Sequence, residues 1–192
     1  FNGGSALAAD GNAALAVTAT QISGATAAAT WMAIEWIRRK PSVLGIATGA
    51  IAGLAAVTPA SGFVGPFGAF VIGLVSGTCC YYAATSLKQR LGYDDSLDVF
   101  GVHGVGGLVG TLGVAVFAAP AFGGKGDPAS YSIAGQFGIQ LAACLIAAAY
   151  TAAASYAILR GVAAALGGLR VEDDEETRGL DLSMHDESGY NT

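Results

Sequence analysis

One histidine stands out by where it falls. His103 sits in LDVFGVHGVGGLVGTLGVAVFA, residues 97 to 118, among glycines and aliphatic side chains, while the chain's other histidine, His185, lies in a charged tail. A neutral imidazole offers one donor and one acceptor nitrogen, so it can orient or pass a small hydrogen-bonding solute. The neighbours at helical spacing, Val99, Phe100, Gly106 and Gly107, bring no charge. Such surroundings favour the uncharged ring, because burial penalises an imidazolium. The plainer alternative is a structural histidine bonded to a backbone carbonyl or to a serine on another helix. Inside a membrane the balance tips towards a substrate or proton path, since ionisable groups there are costly and usually line one. If the helix starts in the cluster Asp94 to Asp98, where carboxylates suit an N-terminus, His103 lies about 8 to 14 Å above that end at about 1.5 Å per residue.

The elements that would carry this histidine are membrane helices. Of 192 residues, 53% are hydrophobic and 12% charged, with a mean hydropathy of +0.55; soluble domains run near one quarter charged. The net charge of −5 is a tail property, because residues 169 to 192 hold eight acidic against two basic side chains, leaving residues 1 to 168 at +1. The nine Lys and Arg are scattered, which speaks against a nucleic-acid partner. Cys79, Cys80 and Cys144 fall in apolar runs, with neither a disulfide framework nor a zinc spacing. They read as small core- or lipid-facing residues, and neither metal nor cofactor is expected. FNGGSALAAD lacks an initiating Met and the basic start of a signal peptide, so the chain is expected to begin inside a longer protein.

Segments free of ionisable Asp, Glu, Lys, Arg and His run over 11–34, 41–87, 104–124 and 128–159, and a bilayer core of about 30 Å needs about 20 helical residues. TPASGFVGP, residues 58 to 66, breaks the longest run with turn residues. Five full spans follow, near 11–37, 42–58, 67–88, 97–118 and 131–160, with residues 1–8 read as the end of a further helix. Basic residues concentrate in alternate connections, at Arg38, Arg39 and Lys40, at Lys88 and Arg90, and at Arg160, Arg170 and Arg178. The positive-inside rule then puts 38–41, 88–96 and the tail in the cytoplasm, and Asp10, 59–65 and 119–130 outside. Glycines four apart, such as Gly45, Gly49 and Gly53, or Gly106 and Gly110, let helix backbones approach closely, which suits a tight bundle with a narrow lumen. The domain division is a helical bundle over 1–168 and an acidic tail over 169–192.

DDSLDVFGVHGVGGLVGTLGVAVFA, GAIAGLAAVTPASGFVGPFGA and RGLDLSMHDESGY resemble segments of the ammonium transporter family (Amt, Mep and Rh proteins), in the right order and with matching gaps. The resemblance covers nearly the whole chain but only the C-terminal half of an eleven-helix member. It implies an all-α membrane protein: five full transmembrane helices plus the end of a sixth, the second of two inverted repeats together with the final helix. It also implies a homotrimer with one narrow pore per subunit. By position, His103 matches the second of the family's twin pore histidines, Phe1 one ring of the outer aromatic gate, and Ser5 the serine that helps hold the cation there. Val99, Ile51 and Thr48 fall where members line the inner pore, and Asp98 where an aspartate starts the pore helix.

Nothing in the chain matches the first histidine or the second gate ring, so a missing N-terminal half of the same transporter is an implied partner. The implied chemistry is recruitment of ammonium at an aromatic and hydroxyl site, deprotonation, and passage of ammonia along an apolar tube that an intact cation would enter at a large desolvation penalty. The protein is read as a non-enzyme of the cell membrane; an ammonium-sensing membrane module is the alternative. The resemblance further implies a cytoplasmic tail, with Gly179, Leu180, Asp181, His185 and Tyr190, that could couple to a PII-type signalling protein. At Asp186 members often carry glycine, which leaves that turn open. Glu35, beside Arg38 and Arg39, reads as a solvated interfacial ion pair. Trp31, Trp36, Tyr81 and Tyr82 read as interfacial or packing aromatics, and an intramembrane serine protease built on Ser5 finds no oxyanion site to support it.

Overall fold

Local chemistry starts and stops the helices. In the computed structural model, which describes residues 1–188, Asp10 caps α1 (Gly11–Arg38) by accepting from the Asn12 and Ala13 N–H groups at 2.8 and 3.1 Å. Ser42 caps α2 (Val43–Val57) through the Gly45 N–H at 2.9 Å. Pro66 opens α3 (Pro66–Leu91) at its first turn, where a missing N–H costs nothing. Gly92 closes it in the left-handed conformation, φ +63°. The Asp95 carboxylate caps α4 (Phe100–Phe117), accepting from the Val99 and Phe100 N–H groups at 2.8 and 2.9 Å. α5 (Ile133–Leu166) follows a turn in which Asp127 accepts from Ala129 N–H and Ser130 Oγ at 3.0 and 2.7 Å. The tail holds two short helices, α6 (Asp173–Arg178) and α7 (Leu180–Met184). Among the described residues there is no strand.

The chain divides into two compact units, Phe1–Cys144 and Leu145–Thr192. In the first, α1, α2, α3 and α4 pack through small residues. A Cβ on Gly110 of α4 would overlap the Ala56 carbonyl oxygen of α2, and one on Gly73 of α3 would lie 2.6 Å from the Ser23 carbonyl oxygen of α1. A Cβ on Gly53 of α2 would overlap the Ser23 carbonyl oxygen, and at that approach Ser23 Oγ donates to the Gly53 carbonyl at 2.9 Å, both residues buried. One core cluster gathers Ala56, Val57, Val64, Ile72 and Val114; the other joins Trp31 and Tyr81, ring centroids 5.2 Å apart, to Cys80 and Val102. In the second unit no residue from Leu145 to Leu166 is buried. The Glu172–Glu175 capping box starts α6, with an Arg170–Glu176 pair at 3.0 Å beside it.

Among the described residues three helices are long and apolar enough to cross a membrane: α3, α4 and α5. Of the five expected spans these three meet both requirements, and each of the other two falls short in one. α1 has the length at 28 residues, but Thr18, Thr20, Gln21, Ser23, Thr26 and Thr30 dilute its apolarity. α2 has the apolarity but only 15 residues, about 22 Å at 1.5 Å per residue. Residues 1–8, expected as the end of a helix, form one tight turn at Gly4–Ala6 that stops at Leu7, φ +59°. Glu35 departs furthest from expectation. It is 1% exposed, accepts from the Ser42 N–H at 2.8 Å and from Arg39 at 3.1 Å, and occupies space that any side chain on Gly45 would fill. A neighbouring helix covers the carboxylate, so the interfacial position does not solvate it.

Candidate functional site

The helix register sorts the expected site residues onto uncovered faces. His103 is exposed, between buried Val102 and exposed Gly104. It lies in a π-turn at Phe100–Gly104 whose closure is the Val105 N–H donating to the Phe100 carbonyl, five residues back. Val99, 52% exposed, shares its side of the chain by helical spacing. On α2, Thr48, Ile51 and Thr58 recur at three and seven residues and so form one stripe. Thr48 is half-buried, and Ile51 is 46% exposed. The opposite face of α2, with Gly49, Ala52, Gly53 and Ala56, is buried. The four inner residues thus stay out of the core. They offer two aliphatic side chains, one hydroxyl and one imidazole, with the Asp95 carboxylate at the helix start accepting from the Val99 N–H.

The stripe on α2 leads to a second constellation. Phe1 and Ser5 line a cavity of ≈ 530 Å³ together with Asn2, Asn12, Thr58 and Lys125. Ser5 Oγ donates to the Phe1 carbonyl at 3.2 Å, and the Phe1 ring is 99% exposed. Asn2 Nδ2 donates to Thr20 Oγ1 at 3.0 Å and Thr58 Oγ1 at 3.4 Å, while Thr58 Oγ1 donates its own proton to the Leu54 carbonyl at 2.7 Å. Hydroxyl lone pairs therefore remain free to accept from a cation with N–H groups. Along this cavity two loops meet the start of α1: the Lys125 N–H donates to the Phe63 carbonyl at 2.9 Å, and Lys125 Nζ hydrogen-bonds Asn12. From Thr58 to Thr48 is about 15 Å along the helix, so the cavity and the inner wall share one element. Asn2 and Thr58 join this cavity through the fold, and Thr58 continues the Thr48 and Ile51 stripe.

The helix start beneath His103 is built by several residues. Asp98 has φ +54° and pairs with Lys88 at 2.7 Å, while Asp95 supplies the capping carboxylate. At the same end Arg38 lies 4.9 Å from the Tyr82 ring centroid and donates to Tyr82 Oη at 3.2 Å. Trp31 and Tyr81 are buried packing aromatics; Trp36 is 70% exposed. The three cysteines are free, and Cys80 is buried with Sγ 3.6 Å from the Val102 carbonyl.

In the tail, Gly179 takes φ +91° between α6 and α7, Leu180 and Asp181 open α7, and His185 is exposed just after it. Asp186 adopts φ +51°, the left-handed conformation that aspartate tolerates better than most residues, so the turn expected of glycine is made without it. Tyr190 lies outside the described residues.

Comparison with known proteins bears on this arrangement. The Ammonium Transporter Family profile matches residues 1–190. The ammonium transporter of Bacillus subtilis is 41% identical over 99% of the chain and 47% of its own length, and Amt1 of Archaeoglobus fulgidus 46% identical over 99% and 48%. Among solved structures, a sensor Amt protein superposes with a TM-score of 0.84 at 30% identity, covering 95% of this chain and 44% of that one. Saccharomyces cerevisiae Mep2 gives 0.77 at 35%, covering 90% and 40%. The chain spans about half the length of the curated relatives it matches. With its all-helical fold and its match over nearly every residue, the chain belongs to the Ammonium Transporter Family.

Proposed function

We propose that this chain forms one half of an ammonium-conducting pore in the cell membrane, with its tail in the cytoplasm. The observation that carries the reading is the uncovered apolar wall holding His103 in a chain of this family. Ammonium is recruited at the cavity with Phe1 and Ser5, where cation–π attraction offers about 0.5 to 2 kcal/mol and hydroxyl oxygens replace lost water. It passes its proton to water at this cavity, and neutral ammonia passes Thr48, Ile51, Val99 and the His103 ring, which exchanges hydrogen bonds with it. An intact cation on such a wall meets a large desolvation penalty. The preceding half of the same transporter closes the tube and supplies the second histidine and gate ring. Three such subunits assemble, each with its own pore, and the tail around Gly179 to Tyr190 offers a PII-type protein a regulatory contact. The gathering of Asn12, Phe63 and Lys125 at one end supports the alternation of loops derived from charge.

A second reading is ammonium sensing, in which the same pore binds ligand and the tail reports it; the superposition on a sensor Amt protein favours it. Proteoliposomes holding the intact protein separate the two. Ammonium flux well above that of empty vesicles supports conduction, and none leaves only sensing. His103→Ala is expected to alter flux or the discrimination of ammonium over potassium while leaving the oligomeric state intact. Flux and discrimination equal to wild type would remove His103 from the pathway.

A further inference from the structure

We infer that Lys88 is a positioning residue for His103, acting through two π-turns packed against each other; this rests on reading His103 as a pathway residue. α3 contains a π-turn at Ala83–Leu87, closed by the Lys88 N–H donating to the Ala83 carbonyl. α4 begins with the other, Phe100–Gly104, which carries His103. A π-turn inserts one residue into a helix, and one residue is worth about 100° of rotation. The direction of the His103 ring therefore depends on residues 100–104 keeping this register.

The two turns touch. A Cβ on Gly101 would lie 2.9 Å from Ala84 N, and Cys80 Sγ meets the Val102 carbonyl beside it. Lys88 joins them a second time. Its ammonium donates to Asp98 Oδ1 at 2.7 Å and to the Asp95 carbonyl at 2.7 Å. Asp95 in turn caps the Val99 and Phe100 N–H groups that open the second turn. Asp98 is held at φ +54°, an uncommon conformation for a residue with a side chain, which needs support from its surroundings. One residue thus closes the first π-turn with its backbone and braces the entry to the second with its side chain. Both charges of the pair are only about a third exposed, at 28% and 31%, so solvent screens this brace less than a surface pair.

The test is site-resolved labelling of His103 by diethylpyrocarbonate, read by mass spectrometry on the intact, monodisperse protein. Lys88→Gln is expected to change His103 labelling severalfold and to disturb ammonium over potassium discrimination; Lys88→Arg, which reaches both acceptors, restores both. Labelling equal to wild type in Lys88→Gln overturns the inference. If Lys88→Gln does not fold, Asp98→Asn is read in the same way. Failure of both to fold would assign Lys88 to building the fold at large and would also overturn it. A wild-type protein that conducts no ammonium defeats the transport reading while the labelling comparison still decides this one.

Discussion

The two ends of the Phe1–Cys144 unit join helices in different ways. At the end where α1 and α3 finish and α2 and α4 begin, every junction is locked by charge. Glu35 holds Ser42 and Arg39, Arg38 stacks on Tyr82, and Lys88 holds Asp98. At the other end charged groups meet neutral partners one at a time, Asp10 with the Asn12 and Ala13 N–H groups, Lys125 with Asn12 and Asp127 with Ser130, alongside Asn2 with Thr20 and the Lys125 N–H with the Phe63 carbonyl. The difference teaches where rigidity and access are placed. The charged end sets the register of α2 and α4, and hence the direction of Thr48, Ile51 and His103. The other end gathers Phe1, Asn2, Ser5 and Thr58 around the cavity.

The contrast can be broken at the charged end first. Glu35→Ala leaves the Ser42 N–H without its acceptor and opens a void beside Gly45, so a loss of about 2 to 4 kcal/mol is expected in reversible unfolding of the detergent-solubilised protein. A loss below about 0.5 kcal/mol would show that the buried carboxylate locks nothing. At the other end Lys125→Ala removes an exposed contact to Asn12, and a change within about 0.5 kcal/mol is expected in the same assay. A larger loss would erase the distinction between the ends.

The smallest effect belongs to Asp127. The Ser130 hydroxyl and the Ala129 N–H hold its carboxyl below the usual carboxylate range. Its support for the turn is therefore complete above that range and is lost as pH falls through the lowered value. Protection factors at Ala129 to Tyr131, exchange rates corrected for the intrinsic pH dependence of amide exchange, should fall under acid in wild type, and Asp127→Asn should flatten that dependence. Identical profiles would mean the carboxylate does not hold the loop.

Helix boundaries were legible because their causes are local. Asp10, Ser42, Pro66 and Gly92 act on backbone groups within a few residues of themselves, so the α1 to α3 boundaries read from the chain lie within a residue or two, apart from the end of α3 at Leu91. The apolar setting of His103 was legible for the same reason. Glu35 was not, because its burial depends on Gly45 of the next helix coming close enough to cover it. The π-turn at Phe100–Gly104 was not either: its residues suit an α-helix equally well, and the choice lies in contacts with Ala84 and Cys80, about twenty positions earlier.

By itself, then, the order of residues determined a helical membrane protein of this family, where its helices begin, and which segment holds the imidazole, since composition and capping act at short range. Only the tertiary structure decided which carboxylate is buried, which turn carries an extra residue, and which face of each helix stays uncovered. Those outcomes depend on backbones meeting across the bundle, where a single missing Cβ decides how near they come.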